Sequence, residues 1–188
     1  MKNIIIIGRP RAGKSTLANM IADKYNYQII RTDAIRNTFR DVLPELNIRP
    51  HTAIESEKFQ MFIKEFLRLN IKQARNKYSF VMEGCETSVK DCKEIYDNED
   101  NLIYVLAQKD ITPEKMASDI KKYDTEKDWT YEMSYNELIK YCTNSIQKAK
   151  IICEECKKYG LKFFDTSVNR EKVLNDIMKD IEANIWKW

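Results

Sequence analysis

Lys2-Asn3-Ile4-Ile5-Ile6-Ile7-Gly8-Arg9-Pro10-Arg11-Ala12-Gly13-Lys14-Ser15-Thr16 decides how the rest of the chain is read. Ile4 to Ile7 are apolar on both faces of an extended strand, as a central strand of a parallel sheet must be when helices cover both sides. The run stops at Gly8, and Gly8, Gly13, Lys14 and Ser15 fill every fixed position of G-x-x-x-x-G-K-[ST], a loop whose amides turn inward on phosphate. Leu17, Met20 and Ile21, with Ala18 and Ala22, then recur at helical spacing, so the loop opens onto a helix N-terminus that favours anions. Gly8, Arg11, Ala12, Gly13, Lys14, Ser15 and Thr16 are therefore the expected nucleotide-binding residues. Lys14 would neutralise β- and γ-phosphate oxygens, and the Ser15 hydroxyl would ligate Mg²⁺.

The 188 residues suit one domain spanning 1–188. Apolar residues at 43% and charged residues at 32% are the balance of a water-soluble globular chain. No stretch approaches the length of a membrane span, and Gly-Arg-Pro-Arg interrupts the apolar opening too early for a signal peptide, so a cytoplasmic protein without a membrane partner is expected. The net charge of +3 is spread over interleaved acids and bases, which argues against a nucleic-acid partner. Of five cysteines, Cys142, Cys153 and Cys156 share an apolar helical stripe and lack the second pair or histidine of a zinc site, so buried free thiols are expected. Cys85 stands apart, next to a motif described below.

Further along, Tyr27 to Arg31 forms a second short strand and leads into Thr32-Asp33-Ala34-Ile35-Arg36. A carboxylate at a strand's C-terminal end, with arginine one turn later, points both groups into the crevice where open α/β sheets bind ligands. Asp33 would orient or deprotonate an acceptor hydroxyl, and Arg36 would hold an anionic acceptor; capping of a helix is the plainer role for the same residues. The pattern then weakens from Asn37 to Pro50, where Arg40 is a further candidate acceptor contact and the single histidine, His51, follows without a catalytic role. Ala53 to Asn76 reads as one long amphipathic helix. Ser79 to Gly84 is the third strand, ending in Glu83-Gly84-Cys85: an acid placed to hold Mg²⁺ or activate the acceptor, and a glycine and cysteine beside the substrate.

Asn101 to Ala107 is the fourth strand, Leu161 to Phe164 the fifth, and Arg170 to about Trp186 the final helix. Between strands four and five, Thr112-Pro113-Glu114 starts one helix and a Ser134/Glu137 capping box starts another that ends at Gly160. Asp124 to Met133, charged and without apolar period, reads as an exposed, mobile loop. Two helices around such a loop have the layout of a lid over about residues 112–135, with Lys121 and Lys122 as cations that would close over the transferred group.

In this order the motifs resemble the small P-loop kinases, the group of adenylate, shikimate and gluconate kinases within the P-loop NTPases. The resemblance extends over essentially the whole chain. It implies a three-layer α/β fold with a five-stranded parallel sheet of order 2-3-1-4-5, a helical lid, and Thr166 and Ser167 beside the adenine of ATP. Arg31 stands where shikimate kinases carry a second carboxylate, which leaves the metal to Ser15 and Glu83. Glu83-Gly84-Cys85 is closer to uridine kinases, and the lid carries lysines where the group usually has arginines, so Lys121, Lys122 or Arg11 would meet the transition-state charge. The expected activity is ATP- and Mg²⁺-dependent phosphoryl transfer to a small-molecule acceptor by a monomer or homodimer, with Asp33 or Glu83 activating the acceptor. A nucleotide-dependent switch is the first alternative, although Ala107-Gln108-Lys109-Asp110 is not Asn-Lys-x-Asp and no Asp-x-x-Gly follows strand three. A toxin-like kinase acting on a nucleotide sugar or macromolecule is the second.

Overall fold

The four consecutive isoleucines form the middle of the sheet and divide their side chains between two apolar layers. The computed structural model describes residues 1–49, 56–74 and 79–186. Its elements are β1 (Asn3–Gly8), α1 (Lys14–Tyr25), β2 (Gln28–Arg31), α2 (Thr32–Val42), a 3₁₀ turn (Pro44–Leu46), α3 (Glu57–Ala74), β3 (Phe80–Gly84), α4 (Val89–Tyr96), β4 (Asn101–Ala107), α5 (Pro113–Tyr123), α6 (Tyr135–Tyr159), β5 (Phe163–Asp165) and α7 (Arg170–Asn184). The strands lie in the order β2-β3-β1-β4-β5, and every neighbouring pair is parallel.

Ile4 and Ile6 pack with Leu17 and Ile21 of α1 and with Leu174, Ile177 and Ile181 of α7. Ile5 and Ile7 face the other way, onto Phe59, Ile63 and Leu67 of α3, Cys92 of α4 and Cys156 of α6. All four isoleucines are at most 2% exposed, so each contributes roughly 1.5–3 kcal/mol of burial. The continuous apolar run exists because both faces are covered, and the resulting three-layer sandwich brings the C-terminal ends of β1, β2 and β3 to one edge.

A third, smaller core joins the lid helices: Met116, Ala117 and Ile120 of α5 meet Leu138, Cys142 and Ile146 of α6. α5 begins at Thr112, whose hydroxyl accepts from the Lys115 amide at 3.2 Å. A full Ser134/Glu137 capping box starts α6, and Gly160, at φ 70°, ends it. All five cysteines are free.

Several local expectations change. Tyr27 lies just outside β2, its hydroxyl donating to the Lys2 carbonyl at 2.5 Å. α2 continues to Val42, through residues with no clean apolar period, because Ile35 and Phe39 pack on the α3 side of the sheet. Asp124 to Met133 is largely exposed, as expected, but it is pinned at two points: Thr130 is fully buried and the Asp124 side chain is 1% exposed. His51 and both ends of the expected helix from Ala53 to Asn76 fall outside the described residues. Among the described residues no helix is long and apolar enough to cross a membrane.

Candidate functional site

The loop after β1 folds as a phosphate cradle. Gly8 sits at φ 131°, and a Cβ there would stand 1.9 Å from the Leu106 carbonyl oxygen, so only glycine fits between β1 and β4. Arg11 and Gly13 also have positive φ, at 65° and 94°, and Ala12 is fully buried. Lys14, 6% exposed, donates to the Arg9 carbonyl at 2.8 Å and approaches Cys85 Sγ at 3.1 Å. Burial acts to lower the pKa of this ammonium, but Cys85, Glu83 and Asp33 around it outweigh burial and hold it above its ordinary value. Burial pushes the Cys85 thiol up in turn, with Lys14 opposing.

Ser15 and Thr16 are exposed at the start of α1. The Ser15 hydroxyl donates to Glu83 Oε1 at 3.0 Å, and Arg31 Nε lies 3.6 Å from the same oxygen. A hydroxyl and a carboxylate side by side at the mouth of the loop are hard oxygen donors of the kind Mg²⁺ takes alongside phosphate and water. These two residues fit that ion, and among the described residues no group of three or more His, Cys, Asp or Glu side chains gathers to hold a metal by itself.

Beside this pair stands a second acidic cluster. Arg36 Nη1 bonds Asp33 Oδ1 at 2.8 Å and also Glu86 Oε1. Glu86, 2% exposed, accepts from Thr32 Oγ1 and from the Cys85 amide, the latter at 2.9 Å. Gly84 makes this possible: a Cβ there would be 1.6 Å from Thr32 Oγ1 and 2.7 Å from Glu86 Oε2. Burial and the neighbouring Asp33 raise the Glu86 pKa. Burial alone would raise Asp33 too, but hydrogen bonding to Glu86 and the charges of Arg36 and Lys14 leave it below its usual value. Asp33, Arg36, Gly84 and Cys85 thus meet at one point, while Arg40 pairs with Asp41 at 2.7 Å on the exposed side of α2. Sequence reasoning missed Glu86. An acid in the turn two residues past Gly84 was the only local sign of it.

Arg11 turns the other way, to the lid. Its Nη2 bonds Asp124 Oδ1 at 2.6 Å, Asp128 Oδ1 at 3.1 Å and the Thr130 hydroxyl, which is why that loop is ordered and partly buried. Lys121 donates to the Thr130 and Tyr131 carbonyls at 3.2 and 2.7 Å, and Lys122 lies 5.1 Å over the Tyr123 ring. Both lysines are exposed; Lys121 ties α5 to the following loop, and Lys122 rests on its neighbour's ring.

On the far side of the loop a cavity of about 400 Å³ is lined by Thr16, Met20, Gln108, Thr166, Ser167 and Arg170, among others. The Thr166 amide donates to the Ala107 carbonyl at 3.0 Å, and the Ser167 amide to Asp165 Oδ1 at 2.9 Å, fixing this turn beside the cradle. Arg170, at the start of α7, was not singled out from the sequence. A Cβ at Gly13 would lie 3.2 Å from its Cδ, and its Nε is buried without a hydrogen-bond partner among the described residues.

A family model described as Zeta toxin matches residues 2–114, which include the cradle and both acidic clusters except the lid contacts of Arg11. No curated protein matches at the sequence level. Among solved structures, a gluconokinase from Sinorhizobium meliloti 1021 superposes with a TM-score of 0.58 at 11% identity, covering 97% of this chain and 92% of the other. An uncharacterized protein from Eubacterium ventriosum gives 0.57 at 13% identity, with 97% and 99% covered. A shikimate kinase from Bacteroides thetaiotaomicron gives 0.54 at 14% identity, with 99% and 100% covered. At these identities the likeness is one of fold, and the fold is that of the P-loop kinases.

Proposed function

The chain belongs to the Zeta toxin family, and on that footing we propose that it is a kinase that transfers the terminal phosphoryl group of ATP to a hydroxyl of a small-molecule acceptor. One observation supports this reading: the Glu83 carboxylate, 3.0 Å from the Ser15 hydroxyl, and the Asp33 carboxylate, held at 2.8 Å by Arg36, are two acids whose charges both act on the buried Lys14 ammonium. On this reading the donor-side pair and the acceptor-side acid serve the phosphate that Lys14 neutralises.

The cradle amides and Lys14 bind the β- and γ-phosphates, and Thr166, Ser167 and Arg170 line the space for the base and ribose. Mg²⁺, held by Ser15 and Glu83, supplies charge neutralisation when bound. Asp33 accepts the proton of the acceptor hydroxyl as its oxygen bonds to the γ-phosphorus; the bond from that phosphorus to the bridging oxygen breaks, and ADP leaves. Asp33 suits this role because it stays ionised and its side chain is 55% exposed. Arg11 and the lid close the donor side, and water exclusion there favours transfer over hydrolysis. Such a reaction fits a cytoplasmic protein acting as a monomer or homodimer.

A toxin-like kinase whose acceptor is a nucleotide sugar is the second reading, and the family match favours it. It uses the same donor side and differs only in the acceptor. Incubation with ATP·Mg²⁺ and pooled hydroxyl-bearing metabolites, nucleoside monophosphates and nucleotide sugars is expected to produce ADP and one phosphorylated product. Stimulation by no pool, or tight GTP binding with hardly any for ATP, would overturn the reading.

A further inference from the structure

The least exposed member of the acceptor-side cluster is the one on which Thr32, Arg36 and the Cys85 amide converge. Glu86 is 2% exposed and accepts from three donors on two elements: Thr32 Oγ1 and Arg36 Nη1 of α2, and the Cys85 amide at 2.9 Å in the turn after β3. Its own carbonyl accepts from Gln60 Nε2 of α3. A buried carboxylate with this many charged and neutral donors is fixed in place, because losing any one of them leaves polar groups unpaired away from water. Asp33, by contrast, has Arg36 as its one cationic partner within hydrogen-bond distance among the described residues and is 55% exposed.

We propose that Glu86 is a positioning residue: by anchoring Thr32 and Arg36 it fixes the first turn of α2, and so the direction in which Asp33 presents its carboxylate to the acceptor. This rests on the phosphoryl-transfer reading for its catalytic consequence. The packing at Gly84 adds an independent argument, since the backbone is stripped of a Cβ at the one place where Thr32 and Glu86 must approach. The groups facing Asp33 are Arg36 on its own helix, Glu86 in the β3 turn and Lys14 in the cradle. Truncating Glu86 withdraws the hydrogen bond that lowers the Asp33 pKa and leaves Arg36 without its buried anchor, so the Asp33 titration reports the change.

The test compares Glu86→Gln and Glu86→Ala, each alone and with Asp33→Asn. The readouts are ADP·Mg²⁺ affinity, ADP release from ATP·Mg²⁺ with water as acceptor, and the Asp33 carboxyl titration by ¹³C NMR. Expected are an unchanged ADP affinity, a loss of turnover of about ten- to a hundredfold for Glu86→Ala, and a smaller loss for Glu86→Gln. Adding either change to Asp33→Asn costs nothing further, because Glu86 acts through Asp33, and the Asp33 titration moves up in Glu86→Ala. Full turnover with an unmoved titration, or an equal loss in the Asp33→Asn background, overturns the proposal. If wild type and Lys14→Ala release ADP alike, the kinase reading itself fails; the Asp33 titration then decides alone, moving up if Glu86 positions it and staying put if not. Should Glu86→Ala fail to fold, Thr32→Val removes one bond to Glu86 with both carboxylates kept; a loss of turnover at unchanged ADP affinity is expected, and full turnover overturns the proposal.

Discussion

Arg36 and Arg11 are each shared by two acids, one buried and one in contact with water. Around Arg36 the side chains are 2% exposed for Glu86 and 55% for Asp33; around Arg11 they are 1% for Asp124 and 31% for Asp128. In both clusters the buried acid anchors the guanidinium. What differs is the exposed acid. Asp33 stands one turn from Arg36 on a helix that leaves a sheet edge, so it is presented to the crevice by regular structure. Asp128 is a loop residue whose carboxylate accepts from the Thr125 amide and hydroxyl, both at 2.9 Å, and it is turned back into its own loop. The same charge arrangement therefore leaves a carboxylate exposed in one place and ties a loop down in the other.

The strongest way to break this comparison is to remove the cation of the cradle itself. Lys14→Ala is expected to lower ADP release by about 10³-fold with the melting temperature little changed, since a preorganised cation toward the transferring group is lost. Next, Asp33→Asn should reduce transfer by about 10²-fold and leave ADP·Mg²⁺ affinity unaltered in a calorimetric titration. Asp128→Asn, its counterpart in the other cluster, should change turnover far less, and a loss as large as that of Asp33→Asn would erase the distinction.

The arginines themselves sharpen the contrast through stability. Arg36→Met strands the buried Glu86 and is expected to cost about 3 kcal/mol in a urea titration. Arg11→Met strands Asp124 but frees only the lid, so its effect should appear as faster hydrogen exchange over residues 124–131, with α1 and the sheet still protected. The smallest expected effect is one of pH. Hydrogen bonds from the Thr125 amide and hydroxyl, with Arg11 behind them, lower the Asp128 pKa against the pull of burial. A depressed carboxylate lends stability above its unfolded pKa and loses it as pH falls through the folded one. Lid-loop exchange should therefore quicken on acidification below the ordinary aspartate range, and Asp128→Asn should not share that dependence.

Much of this was readable in the residues. Gly8, Gly13, Lys14 and Ser15 announce the cradle because its geometry needs those residue types at fixed spacing, and Glu83 and Asp33 stand out as acids at strand ends. Glu86, Arg170 and the acids that hold Arg11 were not readable in the same way. Each is a polar residue in a turn or at a helix start, where no periodicity marks its direction, and its partner lies on a distant element; Asp124 is 113 residues from Arg11. The lid loop illustrates the point. Its charges suggested a solvated segment, and what orders it is a guanidinium from the other end of the chain.

By itself, then, the sequence determined the local order: four isoleucines that require cover on both faces, a glycine loop opening into a helix, and acids closing the next two strands. These follow from backbone geometry and side-chain periodicity, which act over a few residues. Only the tertiary structure decided which charges meet. Pairing depends on which elements the sheet brings edge to edge and on how much water is excluded between them, and this turned Glu86 into an anchor, left Asp33 facing the crevice and bound Arg11 to the lid.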